Sequence, residues 1–471
     1  MQRRKMAPPL TPSLTLLLFQ LLSTLPFTTL ALHFHHVNLH DLTTGDRPPD
    51  ATPQSHHPNP HKLSLDLLHR DSLPGRNHST LHHRLIRDSH RVSFLLRRLG
   101  AAASGYHPDD FGSDVVSGLD EGSGEYFVRI GVGSPPKEQF VVIDSGSDIV
   151  WVQCQPCTQC YAQSDPVFDP ADSASFAGIF CNSPICDIAG TGAGSASCGG
   201  SGRCLYEVSY GDGSYTKGTL ALETLTFGAT AVRNVAIGCG HRNHGLFTGA
   251  AGLLGLGWGP MSFVGQLGGQ VGGAFSYCLV SRGSGSTGSL VFGRTSAVPV
   301  GAVWVPLLRN PRAPSFYYVG LSGLGVGGVR LPLGEELFQL NEEGDGGVVM
   351  DTGTAVTRLP GEAYEALRDA FAEGAVGLPR GAGVSIFDTC YDLGGYESVR
   401  VPTVSFYFSG GTILTLPAQN LLIPVDESGR FCFAFAPSSS GMSIFGNIQQ
   451  EGIQITLDSA NGFVGFGPTT C

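Results

Sequence analysis

Two aspartates in matching sequence settings are the strongest candidates for chemistry in this chain of 471 residues. Residues 141–147 read Val-Val-Ile-Asp-Ser-Gly-Ser, and residues 348–354 read Val-Val-Met-Asp-Thr-Gly-Thr. Two carboxyl groups that lie close together cannot both ionise easily, so the pair holds one proton over a broad acid range. The ionised member can then take a proton from water while the protonated member polarises a carbonyl. The sequence therefore predicts amide hydrolysis by Asp144 and Asp351, with no metal and no cofactor.

Small residues after each aspartate favour a tight loop around the carboxyl group. The glycine lets backbone approach closely, and the hydroxyl that follows it can donate a hydrogen bond to the carboxylate. One Asp-Ser/Thr-Gly sequence is usually an ordinary turn. Two copies, each after an apolar triplet and one in each half of the chain, favour a shared acid/base site instead. The predicted loop-support residues are Ser145, Gly146, Ser147, Thr352, Gly353 and Thr354.

The composition is typical of a protein built from short strands. Hydrophobic residues make up 41% of the chain and charged residues only 14%, and there are 66 glycines and 30 prolines. This balance favours strands joined by many turns. Short β-branched or aromatic runs, such as 140–143, 205–210 and 404–408, fit that pattern, while 362–371 is the best helical segment. The predicted fold class is all-β with few short helices, and a net charge of −11 argues against nucleic acid as a partner.

The first 31 residues are predicted to form a secretory signal peptide. Basic residues 3–5 precede an apolar run from about residue 14 to residue 30, and Thr29 and Ala31 are small residues that suit cleavage. An uncleaved signal anchor is the alternative, although Ser, Thr and Pro residues interrupt the run. We therefore expect no stable membrane span after cleavage. Delivery through the secretory pathway would be to the extracellular space, a vacuole or the endoplasmic reticulum.

A basic, histidine-rich leader precedes an acidic body. Residues 32–104 contain 9 Lys/Arg against 6 Asp, a formal charge of +3, and 12 of the 15 histidines. Residues 105–471 contain 16 Lys/Arg against 33 Asp/Glu, a formal charge of −17. We predict that residues 32–118 are a pro-segment that docks on the body as an intramolecular inhibitor and is released when acid protonates body carboxylates. A disordered basic spacer is the alternative.

One helix is predicted within the leader. Ser79 or Thr80 can cap it, and its apolar side chains fall near one stripe. Cleavage of the leader is expected between about Arg98 and Gly122, in a stretch rich in small residues. The apolar residues of the predicted helix are Leu81, Leu85, Val92 and Leu96.

Twelve cysteines, all in the body, predict a disulfide framework. An even number of cysteines in a secreted chain usually forms disulfides, although the pairing cannot be read from sequence. The spacing of the first three would also suit zinc, but no histidine lies beside them. The twelve residues are Cys154, Cys157, Cys160, Cys181, Cys186, Cys198, Cys204, Cys239, Cys278, Cys390, Cys432 and Cys471.

From about residue 122 to the end, the sequence resembles the pepsin-like aspartic proteases. The resemblance rests on the two aspartate motifs, on Leu253-Leu254-Gly255 and Ile444-Phe445-Gly446 at matching places after them, and on a flap-like segment at 210–214. It implies a bilobal acid-protease fold with the active-site cleft between two related lobes. It also implies that Asp144 and Asp351 form the catalytic pair of a monomeric peptidase that acts on peptides or proteins bound in an extended form.

Further site residues follow from the same resemblance. Ser145 and Thr352 match the hydroxyl residues that tie the two loops together, and Trp151 matches the partner of the flap tyrosine. Two positions depart from the common pattern: Ser145 stands where Thr is commoner, and the flap carries an acidic residue in place of a neutral hydroxyl residue. We expect the first change to preserve activity. The second is hypothesised to shift the pH optimum or the subsite preference, with a solvated turn aspartate as the alternative. The implied flap residues are Tyr210, Gly211, Asp212 and Gly213.

The segment 154–204 resembles the cysteine-rich insertion of the nepenthesin-type plant aspartic proteases. The predicted organisation is a signal peptide at 1–31, a pro-segment at 32–118, an N-terminal lobe at 119–305 that contains this insertion, and a C-terminal lobe at 306–471. Plant xylanase inhibitors resemble the same group but lack an intact aspartate pair. A non-catalytic binding or inhibitor protein on this fold is therefore the alternative function, and the two intact motifs argue against it.

Overall fold

A computed structural model describes residues 32–43, 63–69, 85–86, 88–93, 95, 126–190, 195–210, 214–245, 247, 249–268, 272–280, 288–293 and 301–467. The predicted signal peptide and the predicted cleavage region lie outside these residues. Within the described part of the chain, no helix is long and apolar enough to cross a bilayer.

Three stretches of the leader lie against the body. They are strand β1 followed by a short helix α1, strand β2, and a helical run that we call the leader helix, described at residues 85, 86, 88–93 and 95. Leu85 and Val92, which the sequence places on one stripe of this helix, are buried, whereas Leu81 and Leu96 lie outside the described residues. The bounds are β1 Phe34–Asn38, α1 Leu39–Thr43 and β2 Leu63–His69.

Strands are the main regular structure of the described N-terminal half of the body, as the composition predicts. Its helices are α2 Pro184–Gly190, α3 Phe263–Leu267 and a 3-10 turn at Pro170–Asp172. The strands are β3 Tyr126–Val132, β4 Lys137–Asp144, β5 Trp151–Gln153, β6 Ala177–Gly178, β7 Ser195–Cys198, β8 Cys204–Ser209, β9 Tyr215–Phe227, β10 Thr230–His244, β11 Gly252–Gly255, β12 Ala274–Cys278 and β13 Gly288–Phe292.

The C-terminal half contains the longest described helix, α4 Gly361–Gly374, where the sequence predicts helix at 362–371. Its other helices are α5 Asn447–Gln450 and 3-10 turns at Glu335–Phe338 and Ala418–Asn420. The strands are β14 Val303–Leu308, β15 Tyr317–Val319, β16 Leu321–Val326, β17 Val329–Arg330, β18 Val348–Met350, β19 Thr357–Leu359, β20 Arg380–Gly381, β21 Cys390–Asp392, β22 Ser398–Pro402, β23 Val404–Phe408, β24 Ile413–Thr415, β25 Leu422–Pro424, β26 Arg430–Phe433, β27 Phe435–Pro437, β28 Ser443–Phe445, β29 Gln454–Asp458 and β30 Phe463–Phe466.

Helix α4 forms because its apolar residues recur at helical spacing. Ala363, Leu367 and Phe371 are spaced four residues apart and are all fully buried. Residues with this spacing share one helix face, which packs here on the C-terminal lobe. The Phe371 ring stacks on Phe433 with 4.3 Å between ring centroids. Pro360 precedes the helix at the position where a missing N–H costs least.

The two aspartate motifs lie in strand arrangements that repeat from one half to the other. β4 runs parallel to β11, β11 is antiparallel to β5, and β5 runs parallel to β10. In the second half, β18 runs parallel to β28, β28 is antiparallel to β19, and β19 runs parallel to β27. Parallel strands inside a core are buried on both faces, which explains the continuous apolar triplets before each aspartate. The fold is the all-β, bilobal architecture that the sequence predicts.

One antiparallel sheet contains strands of the leader and of both halves of the body, and so joins the two halves. Its strand order is β3-β2-β13-β12-β29-β30-β14. It therefore contains leader strand β2, strands β3, β12 and β13 of the first half, and strands β14, β29 and β30 of the second half. Leu67 of β2 is fully buried within it. The lobe boundaries given by sequence, at 118/119 and 305/306, remain predictions.

Five disulfides are formed among the described residues. One links the residue after β5 to the neighbouring strand β10, three lie within the cysteine-rich insertion, and one lies in the C-terminal lobe. Sulfur atoms engaged in disulfides are not available as zinc ligands, so the zinc interpretation of the first three cysteines is wrong. Cys278 is also disulfide-bonded, and Cys471 lies outside the described residues. The pairs are Cys154–Cys239, Cys157–Cys160, Cys181–Cys198, Cys186–Cys204 and Cys390–Cys432.

Candidate active site

The two aspartate loops meet and are tied together by their hydroxyl residues. The backbone N–H of Ser145 donates to Thr352 Oγ1 at 3.2 Å, and the N–H of Thr352 donates to Ser145 Oγ at 3.0 Å. The two hydroxyls are themselves 3.3 Å apart, with Thr352 donating to Ser145. Ser145 therefore takes part in both crossed contacts, through its backbone N–H and its hydroxyl oxygen. The loss of one methyl group relative to threonine leaves the connection intact.

Each carboxylate is held by its own loop in the same way. Ser147 Oγ donates to Asp144 Oδ2 at 2.5 Å, and Thr354 Oγ1 donates to Asp351 Oδ2 at 2.6 Å. The N–H groups of the two glycines, two residues after each aspartate, donate to the Oδ1 atoms at 2.9 and 3.1 Å. The repeated pattern fixes both carboxyl groups before any ligand binds. The predicted site residues at 144–147 and 351–354 therefore lie together.

A leader arginine lies between the two carboxylates. Arg91 donates from Nη2 to Asp144 Oδ1 at 2.5 Å and from Nη1 to Asp144 Oδ2 at 3.2 Å. It also donates from Nε to Asp351 Oδ2 and from Nη2 to Asp351 Oδ1, both at 2.8 Å. One planar guanidinium thus contacts all four carboxylate oxygens, a geometry that the fork of an arginine allows and a lysine does not.

The two glycines of the aspartate loops make room for this cation. A Cβ atom at Gly146 would lie 2.2 Å from Arg91 Nη2 and 2.9 Å from Asp351 Oδ1. A Cβ atom at Gly353 would lie 3.0 Å from Arg91 Cζ. Side chains at these positions would collide with any group that approaches the carboxylates this closely. The glycines are therefore needed for access to the pair as well as for the loop conformation.

Burial and charge act in opposite directions on these groups. Burial alone would raise the pKa of Asp351, but the Arg91 charge and the hydrogen bonds from Arg91, Thr354 and Gly353 hold that pKa below its usual value. Burial would lower the pKa of Arg91, but the two carboxylates raise it instead. The ion cluster is therefore stable with Asp351 ionised as long as the leader is in place.

A second leader residue, Asp88, anchors the leader helix one turn before Arg91. Asp88 Oδ1 accepts hydrogen bonds from the N–H groups of Ala355 and Val356, at 2.5 and 2.8 Å. Its other oxygen pairs with Arg358 Nη2. Burial raises the pKa of Asp88, with the Arg358 charge opposing that shift. Because Asp88 and Arg91 lie one turn apart, they place charges of opposite sign on one face of the helix.

Apolar side chains complete the docking of the leader helix. Leu85 packs in a buried cluster with Val356 and Ile423, and Val92 packs in another with Phe316. Leu95 is fully buried in the same second cluster. The helix therefore contacts the C-terminal lobe through its apolar residues and both lobes through Arg91.

The aromatic residues of the flap-like segment form one cluster over the N-terminal lobe. Trp151 Nε1 donates to Tyr210 Oη at 2.8 Å, and Phe247 packs edge-on against both rings. Burial raises the pKa of Tyr210 well above its ordinary value, and the nearby Asp144 charge adds to this. The structure thus brings Trp151 and Tyr210 together, while Gly211, Asp212 and Gly213 lie outside the described residues.

Arg91 and Asp88 are the residues that sequence reasoning missed. The charge difference between leader and body indicated docking, but it did not distinguish Arg91 from the other basic residues of the leader. One usable signal existed, because Asp88 and Arg91 fall within the same predicted helix as Leu85 and Val92 and lie on a common face of it. Aspartate and arginine three residues apart, beside an apolar stripe, indicate a face that is buried with its charges paired.

Comparison with known proteins places the chain in a family. Residues 126–294 match the family model described as xylanase inhibitor N-terminal, and residues 316–468 match the one described as xylanase inhibitor C-terminal. The Arabidopsis thaliana protein named aspartic protease in guard cell 2 is 68% identical over 87% of this chain and 87% of its own length. Aspartic proteinase nepenthesin-2 of Nepenthes gracilis is 42% identical over 76% of this chain and 81% of its own length.

Solved structures show the same fold at low sequence identity. The crystal structure of basic 7S globulin from soybean aligns with a TM-score of 0.58 and 20% identity, and it covers 74% of this chain and 94% of its own. At this identity the likeness concerns the fold alone. The 68% identity to a named aspartic protease, over most of both chains, carries the assignment of activity. The chain belongs to the pepsin-like aspartic proteases, in their nepenthesin-type plant group, and is a peptidase.

Proposed function

We propose that this protein is an aspartic endopeptidase, made as a zymogen, that hydrolyses peptide bonds at acidic pH with water activated between Asp144 and Asp351. The observation that carries the proposal is the pair of equivalent loops, which hold two carboxylates in matching hydrogen-bond patterns and against one common cation. A site that accepts a guanidinium across both carboxylates can also accept a water molecule that hydrogen-bonds to both of them.

The chemistry follows from the shared proton. Without Arg91, two buried carboxyl groups in contact with one another favour a state in which one is protonated. The ionised carboxylate takes a proton from the water while the water oxygen attacks the scissile carbonyl carbon. The protonated carboxyl group donates its proton to the carbonyl oxygen. The resulting tetrahedral intermediate collapses when a proton is returned to the leaving nitrogen.

The loop residues and the flap have supporting roles in this mechanism. Ser147 and Thr354 keep the Oδ2 atoms of the two carboxyl groups hydrogen-bonded, so that the Oδ1 atoms face the water. Ser145 and Thr352 fix the distance between the loops, and distance sets the strength of the coupling between the two acids. Tyr210, held by Trp151, covers the cleft and excludes bulk solvent, and Gly211, Asp212 and Gly213 are the other residues assigned to the flap by sequence.

The pro-segment is proposed to inhibit the site from within the same chain. Arg91 uses the four oxygens that a water and a substrate carbonyl would need, and Asp88 fixes the helix that presents it. The partners are therefore a peptide or protein substrate and the chain's own leader, and the mature protein is proposed to act as a monomer. A signal peptide at 1–31 and delivery to the apoplast, the vacuole or the endoplasmic reticulum complete the proposal.

The test is peptide hydrolysis by the acid-treated precursor from pH 2.5 to 7, with and without pepstatin, beside Asp144→Asn. We expect acid activity that pepstatin blocks and that the substitution abolishes. Asp345→Asn is the matched control, because the same change at a largely exposed aspartate of the surface should leave activity intact. A folded, processed protein that is inactive at every pH would contradict the proposal and favour a non-catalytic inhibitor of the xylanase-inhibitor type.

A further inference from the structure

The first described residues of the leader, 32–43, bind to the C-terminal lobe. In sequence they lie far from the leader residues that contact the cleft. Strand β1 pairs with β22 in antiparallel register over five residues, from Phe34 opposite Pro402 to Asn38 opposite Ser398. Among the described residues, the two strands form a sheet of their own. β22 therefore has the leader as its strand partner, so removal of the leader would leave its pairing edge open.

Backbone contacts extend this pairing at both ends. The N–H of His33 donates to the carbonyl of Gly327 at 2.8 Å, and the N–H of Thr403 donates to the carbonyl of His33 at 3.0 Å. Beyond the strand, the N–H of Leu39 donates to the carbonyl of Glu397 at 3.0 Å. These bonds fix the segment's register whatever the charge state of nearby side chains.

Apolar side chains of the segment are buried as deeply as core residues. Val37, Leu39 and Leu42 are 2%, 4% and 4% exposed and belong to the main hydrophobic core. On the other strand, Val399 and Val401 are buried as well. Removing three aliphatic side chains from water is a favourable contribution that does not depend on charge. Such burial is typical of a permanent structural element.

The contact continues beside an open groove of about 520 Å³ on the C-terminal lobe. Leu39 forms one wall of it, and Tyr396 and Phe431 line the other side. At the opposite end of the segment, the Arg400 guanidinium lies over the Phe34 ring, 4.7 Å from its centroid. The half-buried His35 directs Nε2 to the carbonyl of Leu416 at 3.1 Å. The lobe surface therefore contacts the segment at Phe34, at His35 and at Leu39.

We propose that residues 32–43 remain bound to the C-terminal lobe after the precursor is processed, as a separate, non-covalent chain of the mature enzyme. This inference rests on the proposed processing of the leader. The leader helix is held at the cleft by buried ion pairs, whose carboxylates acid can protonate. The β1 contact is instead carried by backbone bonds and apolar burial. All twelve cysteines lie in the body, so no disulfide can retain the segment.

The test isolates this contact by cutting the chain between α1 and β2. A recognition sequence for a site-specific protease is placed between residues 44 and 62 of the precursor, in an Asp144→Asn background so that the enzyme cannot digest the fragment. After cleavage, the protein is separated by gel filtration at micromolar concentration. The masses of the chains in each fraction are then measured by mass spectrometry. We expect the fragment that contains 32–43 to elute with the body. Because this assay reads binding in an inactive chain, it does not depend on whether the precursor processes itself.

Two matched variants make the result specific. Val37→Asp places a charge at a buried position, and we expect the fragment to bind at least about 100-fold more weakly. His36→Asp makes the same change at the exposed neighbouring residue and should leave binding intact. Should Val37→Asp prevent folding, synthetic peptides of 32–43 carrying either change can compete with a fluorescent native peptide for the cut protein. Separation of the native fragment from the body, or equal binding of both variants, would overturn the proposal.

Discussion

Replacing Arg91 should open the precursor without any cleavage of the leader. The guanidinium makes four hydrogen bonds to two buried carboxylates, and Arg91 is only 6% exposed. Removal of one partner from a buried, hydrogen-bonded ion cluster costs about 3–5 kcal/mol. At about 1.4 kcal/mol for each factor of ten, the population of precursor with an open cleft should rise by about 140- to 4,000-fold in Arg91→Gln.

The assay is hydrolysis of a quenched fluorescent peptide by the intact precursor at pH 5, with mass spectrometry of the same sample to show that the leader is uncut. Ser93→Gln is the matched control, because it introduces the same side chain on the exposed face of the leader helix. Arg91→Lys should fall between the native protein and Arg91→Gln, since a lysine keeps the charge but not the bidentate contacts.

One result would refute the reasoning directly. If uncut Arg91→Gln precursor is as inactive at pH 5 as the native precursor, while acid treatment activates both, the ion cluster is not what closes the cleft. The apolar contacts of Leu85, Val92 and Leu95 would then carry the inhibition. Alanine substitution at those residues would become the next experiment, with the same peptide assay.

Two further predictions concern pH and the flap. The leader holds the pKa of Asp351 below its ordinary 3.8, so ionised Asp351 stabilises docking above that pH and the stabilisation is lost as pH falls through the lowered pKa. Precursor opening, followed by binding of a labelled pepstatin, should therefore have its midpoint below pH 3.8, and a midpoint above pH 5 would contradict this. In Trp151→Phe the Tyr210 hydroxyl loses its 2.8 Å donor, at a cost of about 1 kcal/mol, so kcat/KM should fall about fivefold. Trp304→Phe, at a partly exposed tryptophan, is the control, and equal kcat/KM in both variants would refute the flap role.

Local sequence patterns were enough to predict the fold class and the central residues of the candidate site. Each aspartate motif combines a continuous apolar triplet with a small-residue turn, and both features are properties of a few adjacent residues. The duplication then links two segments about 200 residues apart, because equivalent motifs are expected to occupy equivalent places. The strand at 404–408 and the helix near 362–371 follow from short-range spacing in the same way.

Contacts between distant residues could be found only in the tertiary structure. Arg91 lies 53 residues from Asp144 and 260 from Asp351, and the leader offers nine Lys/Arg of similar chemistry. The choice among them depends on which side chain reaches the cleft once the helix has docked. The disulfide pairs and the β1–β22 register also depend on the folded structure. A cysteine can in principle pair with several other cysteines, and an exposed strand edge can pair with several other strands. The sequence by itself determined the two carboxylates and the loops around them, whereas only the packing of the leader on the folded body decided which charge faces them.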